Sequence, residues 1–177
     1  KSGARKFDPT LVYWGLQLQL LLYLAAALSR VPGSHAAGFF YCRIADPTVK
    51  TESRIREEVE KQIAKKLSLQ GISLSDVAIL RAQGGSVASM VTKDGKPNDR
   101  YAASMVDEAG MEKLLDFAKR KAAELAGEIY RGEMDDSPVE RGAFNACQNC
   151  EYSAICAFDP MRKPRRRLTA KKLDDLL

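Results

Sequence analysis

Residues 1–28 read KSGARKFDPTLVYWGLQLQLLLYLAAAL. Asp8-Pro9-Thr10 has the form of a helix start: a capping carboxylate, then a proline whose missing N–H costs nothing in the first turn. From there the composition predicts a helix over residues 11–29, apolar on most faces and so buried, ending near Pro32-Gly33. Two amides interrupt the apolar run. Gln19 and Tyr23 are spaced Q-x3-Y and share one helix face, a turn apart. A glutamine on such a helix needs a partner or a polar site. On spacing alone, Gln19 reads as a core-edge amide paired to backbone, and Gln17, on a different face, has only that reading.

Working outward, residues 38–44, GFFYCRI, are aromatic and β-branched and predict a buried strand closed by Asp46-Pro47, with Cys42 a core residue within it. Residues 52–69 predict a charged amphipathic helix with Ile55, Val59, Ile63 and Leu67 at i+4 steps and Gly71 beyond its end. Residues 75–92 are ambiguous. Val77-Ala78-Ile79-Leu80 suits a short helix or strand, and Gly84-Gly85 turns into an expected strand over 86–92. The composition of residues 93–97 is that of a turn. Asp107 caps a long helix over 107–131, its core side carrying Met111, Leu114, Leu115, Ala118, Ala122, Leu125 and Ile129. From Glu133 to the cysteines the chain reads as loop. His35, the single histidine, lies in a turn and is assigned no role.

The chain has 177 residues, enough for one domain with a real core. Its net charge of +5 is local. Residues 161–172 hold seven basic groups and no acidic ones, so the remaining 21 Lys and Arg face 23 acidic residues. A solvated end explains such a run as readily as phosphate contact does. At the front, Lys1, Arg5 and Lys6, the apolar run over 20–28 and Ser34-His35-Ala36 imitate a secretion signal. Gln17 and Gln19 break that pattern, Tyr13 and Trp14 precede it, and the run is too short to span a bilayer.

Cys147, Cys150 and Cys156 are spaced C-x2-C-x5-C. Three clustered thiols of four in the chain do not make a secreted disulfide framework, so the cytoplasm is the expected compartment. Thiolates at this spacing suit zinc or an iron–sulfur cluster, and spacing does not choose between them. Either wants four ligands, so the chain draws a fourth from far away or is part of a longer protein.

The string Lys1-Ser2-Gly3 followed by Gly15-Leu16-Gln17-Leu18-Gln19-Leu20 and Tyr23, with the closing C-x2-C-x5-C, resembles the nuclease domain of the AddB family, the B subunits of bacterial ATP-dependent helicase/deoxyribonucleases. The resemblance implies an α/β fold, a PD-(D/E)xK nuclease core with flanking helices and a C-terminal iron–sulfur segment. It divides the chain into a partial nuclease core over 1–132, a cysteine-cluster segment over 133–160 and a basic tail over 161–177. It makes Lys1 the motif lysine, which orients water or stabilises developing negative charge, with Gln19 and Tyr23 positioning the centre and DNA. Mg²⁺ would activate the water and offset charge on the phosphorane, held by acidic ligands outside this chain, as the Asp expected two residues before Lys1 is absent from it. On that basis the chain alone is expected not to cleave DNA. Cys147, Cys150 and Cys156 become three of four ligands of a [4Fe–4S] cluster that staples the two ends of the domain.

The implied whole is a heterodimer with an AddA-like helicase subunit that processes double-strand DNA ends. ATP is bound only in the full complex, since nothing here resembles a Walker motif. Arg165, Arg166 and Arg167 are candidate contacts to the DNA backbone. A related nuclease of the Cas4 type, or a zinc-stabilised DNA-binding module without catalysis, are the rival readings.

Overall fold

The computed structural model describes residues 6–44, 46–50, 55–133, 137–142 and 144–177. Its centre is a three-stranded sheet in the order β1-β2-β3: β1 Gly38–Tyr41, β2 Gln70–Leu74 and β3 Met105–Val106. β1 runs antiparallel to β2, with Phe40 opposite Gly71, and β2 runs parallel to β3, with Leu74 opposite Val106. A Cβ on Gly71 would run into the Phe39 carbonyl and the Phe40 backbone, so only glycine permits this approach of β2 to β1.

Alternation along the strands gives the sheet two covered faces. Phe39, Ile72, Leu74 and Val106 join the main core, which helices α1 (Pro9–Tyr13), α2 (Gln19–Arg30) and α6 (Glu108–Tyr130) complete with Val12, Leu18, Leu21, Met111, Leu114, Leu115 and Ala118. Phe40 and Met105 point the other way, into a smaller core with Leu80 of α4 (Val77–Gln83) and with Val87 and Met90 in and after α5 (Gly85–Ala88). The helix expected over 107–131 is α6, with Asp107 accepting from Gly110 N–H as its N-cap.

The structure corrects several expectations. The single helix over 11–29 is two helices, because Gly15 takes φ +77° between them and lies so near Leu125 that a Cβ would sit 2.6 Å from its Cδ1. α2 is also less buried than its composition suggests: Leu21 is its buried residue, and Tyr23 stands out 63% exposed. β1 ends at Tyr41, which leaves Cys42 and Ile44 exposed rather than in the core. The strand expected over 86–92 is helix α5 and a turn, with Val91 making an isolated bridge to Pro97. The charged helix is α3 (Arg56–Lys66), while residues 51–54 lie outside the described residues.

The loop expected after Glu133 contains a second sheet in the order β5-β4-β6, made of β4 Val139–Arg141, β5 Phe144–Asn145 and β6 Arg166–Arg167. β4 pairs antiparallel with β5 and parallel with β6. Beyond β6 the chain returns to α1. Trp14 Nε1 donates to the Thr169 carbonyl, and the Thr10 hydroxyl accepts from Lys171 N–H at 3.0 Å. A closing 3₁₀ turn, Leu173–Leu176, then buries both leucines in the main core. The segment with the basic run is therefore seated on the fold at both ends, not a free tail. Among the described residues no helix is long and apolar enough to cross a membrane.

Candidate nuclease site

The expected motif residues fall on three parts of this frame. Lys1 lies outside the described residues. Gln19 and Tyr23 occupy the first two turns of α2, and Gln19 Nε2 donates to Tyr23 Oη at 2.7 Å. The Q-x3-Y spacing thus produces one joined polar unit on the helix face that the core leaves open. Gln19 is exposed and bonds to Tyr23 rather than satisfying a buried backbone group.

Gln17 behaves otherwise. It precedes α2, is 7% exposed, and bonds to backbone through both ends of its amide: Nε2 donates to the Lys6 carbonyl at 2.8 Å and Oε1 accepts from Asp8 N–H at 2.8 Å. Asp8 caps α1 by accepting from Thr10 N–H and also pairs with Arg141 of β4. Next to this segment opens a cleft of about 540 Å³ lined by Lys6, Phe7, Gln70, Gly71, Ser104 and Lys172 among others. The backbone pairing of Gln17 is what the sequence reading expects; the segment it holds and the cleft are not foreseen. The available signal for the pairing is an amide in an apolar run, which must be bonded to something.

Cys147 and Cys150 lie on consecutive turns after β5, with Cys150 N–H donating to the Cys147 carbonyl at 3.4 Å and Cys147 N–H to Asn145 Oδ1 at 3.0 Å. Cys156 ends the short helix α7 (Ser153–Cys156), and the chain reverses at Ala157, which takes a left-handed φ of 53°. Alanine has no steric ease there, so the reversal costs on the order of 1 kcal/mol. All three cysteines are free, half-buried or exposed. As donors they suit a thiolate-binding metal in chemistry, yet they are one short in number. Among the described residues no three His, Cys, Asp or Glu side chains converge as a bound ion would require. The same holds for carboxylates toward Mg²⁺.

The basic run is partly spoken for. Arg165 Nη1 and Arg167 Nε reach the Glu140 carboxylate at 3.7 and 3.4 Å, and Arg165 also lies over the Phe158 ring. Arg166 lies over Trp14, 6.0 Å from its centroid. Arg167 keeps 88% of its side chain exposed, so its pairing leaves the outer face of the run open. His35, assigned no role, pairs with Glu108 at the start of α6, Nδ1 to Oε1 at 3.0 Å. At the end of α6 the Glu133 carboxylate accepts from Arg131 and holds that guanidinium above its ordinary value. Arginine is charged at any working pH in either case, so this is a surface pair without chemistry.

The PD-(D/E)XK nuclease superfamily matches residues 1–157, which takes in α1 through the third cysteine. The chain belongs to that superfamily. Its curated relatives are named as the B subunit of an ATP-dependent helicase/deoxyribonuclease. That of Alkaliphilus metalliredigens (strain QYMF) is 37% identical over 169 residues, 90% of this chain and 15% of the relative. That of Alkaliphilus oremlandii (strain OhILAs) is 32% identical over 185 residues, 98% of this chain and 16% of the relative. That of Clostridium tetani (strain Massachusetts / E88) is 34% identical over 192 residues, 100% of this chain and 16% of the relative. The resemblance to the AddB family drawn from Lys1-Ser2-Gly3, the Gly15 to Tyr23 string and the cysteines is borne out. Membership in the PD-(D/E)XK superfamily brings with it an α/β nuclease fold and a divalent ion such as Mg²⁺. The chain spans a small part of the relatives it matches.

Proposed function

We propose that this chain is the C-terminal nuclease region of a helicase–nuclease subunit that hydrolyses phosphodiester bonds at double-strand DNA ends for recombinational repair. The superfamily match over residues 1–157 carries the reading, joined by relatives named as helicase/deoxyribonuclease subunits. On this reading Lys1 lies beside the scissile phosphate and stabilises the charge that develops on its oxygens. Gln19 and Tyr23, joined on the open face of α2, bear on the DNA strand and keep it in register with Lys1. A divalent ion of the kind such nucleases use would supply an activated water; among the described residues no three His, Cys, Asp or Glu side chains group together to hold one. Arg166 and the outer face of Arg167 contact the DNA backbone as point charges. The protein acts with an AddA-like helicase partner, which brings the ATP-driven step.

The reaction is tested with the full-length protein and its partner helicase subunit on linear duplex DNA. Nucleotide release that requires Mg²⁺ and starts from the ends is expected. A complex that unwinds the duplex but releases no nucleotide with Mg²⁺ present would sink the nuclease assignment.

We further read Cys147, Cys150 and Cys156 as three ligands of a [4Fe–4S] cluster completed by a fourth thiolate from elsewhere in the protein. The frame supports a staple at this position. The cysteine loop is pinned at its base where β4 and β6 pair, and β4 is tied to the cap of α1 through Arg141 and Asp8. A site so placed couples the end of the domain to its beginning. Anaerobically purified full-length protein should be brown and contain iron and acid-labile sulfide. Cys150→Ser should lower its melting temperature and Cys42→Ser should not, because Cys42 is exposed beyond β1. Colourless protein loaded with zinc, or equal shifts for the two variants, would count against the cluster.

A further inference from the structure

The two arginines of β6 face opposite ways, as neighbours on a strand do. Arg167, with Arg165 just before the strand, reaches Glu140 of the paired strand β4. Arg166 turns to the other side and lies over the Trp14 ring, 6.0 Å from its centroid. It is exposed, and among the described residues it pairs with no carboxylate. The ring itself is firmly mounted. Trp14 is the C-cap of α1, its Nε1 donates to the Thr169 carbonyl at 3.2 Å, and it meets Tyr13 edge-on with centroids 5.5 Å apart at 74°. Tyr13 in turn stacks with Phe117 of α6 and carries Lys171 over its ring, a cation shared with Asp175. The indole is half-buried, so part of it still meets solvent. The result is a fixed aromatic surface under a cation that no described carboxylate neutralises.

We propose that Trp14 and Arg166 bind an unpaired DNA strand, the indole stacking on one base and the guanidinium taking the adjoining phosphate. The inference rests on the reading of this chain as part of a DNA nuclease and adds a base contact to it. A hydrogen bond and a neighbouring ring fix the indole before any ligand arrives, so stacking costs little further ordering. Arg166 sits at the outer edge of the range over which a ring attracts a cation, about 6 Å. A flat base can therefore take the ring face while the long arginine side chain moves to the phosphate. Bases inside a duplex are already stacked on one another, so the ligand is a single strand. Every base has a π-face, so the contact demands no particular sequence. An indole that only clipped the returning chain would need its N–H and its bulk, but not an uncompensated cation over its ring.

The test uses the full-length protein with its helicase partner, in EDTA and without ATP, binding oligothymidylate. Trp14→Leu should weaken binding about tenfold, the scale of one lost base stack. Trp14→Phe keeps a π-face and loses the N–H to Thr169, so it should stay within about threefold of the unaltered protein. On a strand of abasic deoxyribose phosphates the unaltered protein and Trp14→Leu should bind alike, because there is no base to stack. Arg166→Gln should weaken binding and lower the slope of log K against log salt by about 0.7, one phosphate contact on a single strand. It also serves if Trp14→Leu folds poorly. With 5-iodouracil in the strand, irradiation should crosslink the DNA to the peptide that carries Trp14. Equal losses for Leu and Phe, or a Leu loss that persists on the abasic strand, would mean that the ring is only a clip, and overturn the proposal. So would unchanged DNA binding in Trp14→Leu and Arg166→Gln with release of the helicase subunit, which would make this face a protein interface. Mg²⁺-dependent nucleotide release is measured on the same preparations. Release that persists while the variants bind normally sinks this site alone, whereas an unaltered complex that binds the strand but releases nothing sinks the nuclease reading and leaves the strand site standing.

Discussion

Lys1→Ala in the full-length protein should cut DNA hydrolysis by about 10²–10³-fold, the usual cost of removing one preorganised donor from developing negative charge. The effect falls on kcat. DNA affinity comes from many phosphate contacts spread over the protein, of which this lysine is one, so KM should move little. Lys1→Arg should recover only part of the rate, because a planar fork does not occupy the place of a compact ammonium. Release of labelled nucleotide, set against strand separation by the same preparation, makes the measurement. Hydrolysis and unwinding lost together would mean a misfolded subunit, whereas full hydrolysis would remove Lys1 from the centre.

That Lys1 can be named at all comes from sequence, and the limits of the sequence show in its neighbours. The Q-x3-Y spacing correctly places Gln19 and Tyr23 within bonding reach, because helix geometry converts a spacing of four into a contact. The same helical template hides the joint before them. Gly15 and Gln17 sit inside an apolar run that propensity extends without a break. The break is decided by Leu125, more than a hundred residues on, and by the backbone of residues 6–8. α6 is legible because its cap and its apolar spacing agree, although Ile129, expected on the core side, stands 77% exposed in its last turn. β2 is not, because Gly71 reads locally as a helix stop, and what it provides is clearance from the Phe39 carbonyl.

Charge misleads in a comparable way at the other end. Seven basic residues in twelve dominate the reading of residues 161–172 and suggest a solvated tail. The informative residues come just after, Leu173 and Leu176, three apart and so on one side of a tight 3₁₀ turn. For the cysteines the sequence supplies donor type and spacing but not convergence, since ligand positions depend on loop paths that spacing does not encode.

Leu173→Ala and Leu176→Ala should each destabilise the domain by about 2–5 kcal/mol, the range for truncating a buried leucine. Leu176 is 3% exposed and Leu173 8%, and both pack in the cluster that contains Val12, Met111 and Leu114. A domain has roughly 5–15 kcal/mol in total, so either change removes a large share. The pair lies in one turn and shares neighbours, so the double variant should fall short of the sum. Hydrogen exchange in the full-length protein reads the loss where it occurs. Amides of α1 and α6 should open together with residues 169–176, because Trp14 and Thr10 tie the returning chain to α1. Arg167→Gln, on the exposed side of the same segment, should stay within about 0.5 kcal/mol. The contrast separates two roles of one short stretch: its leucines close the core beside α1, and the Arg167 side chain faces outward. If exchange rises only beyond residue 169 and α1 keeps its protection, the C-terminal turn merely rests on the core, and the coupling between it and α1 is withdrawn.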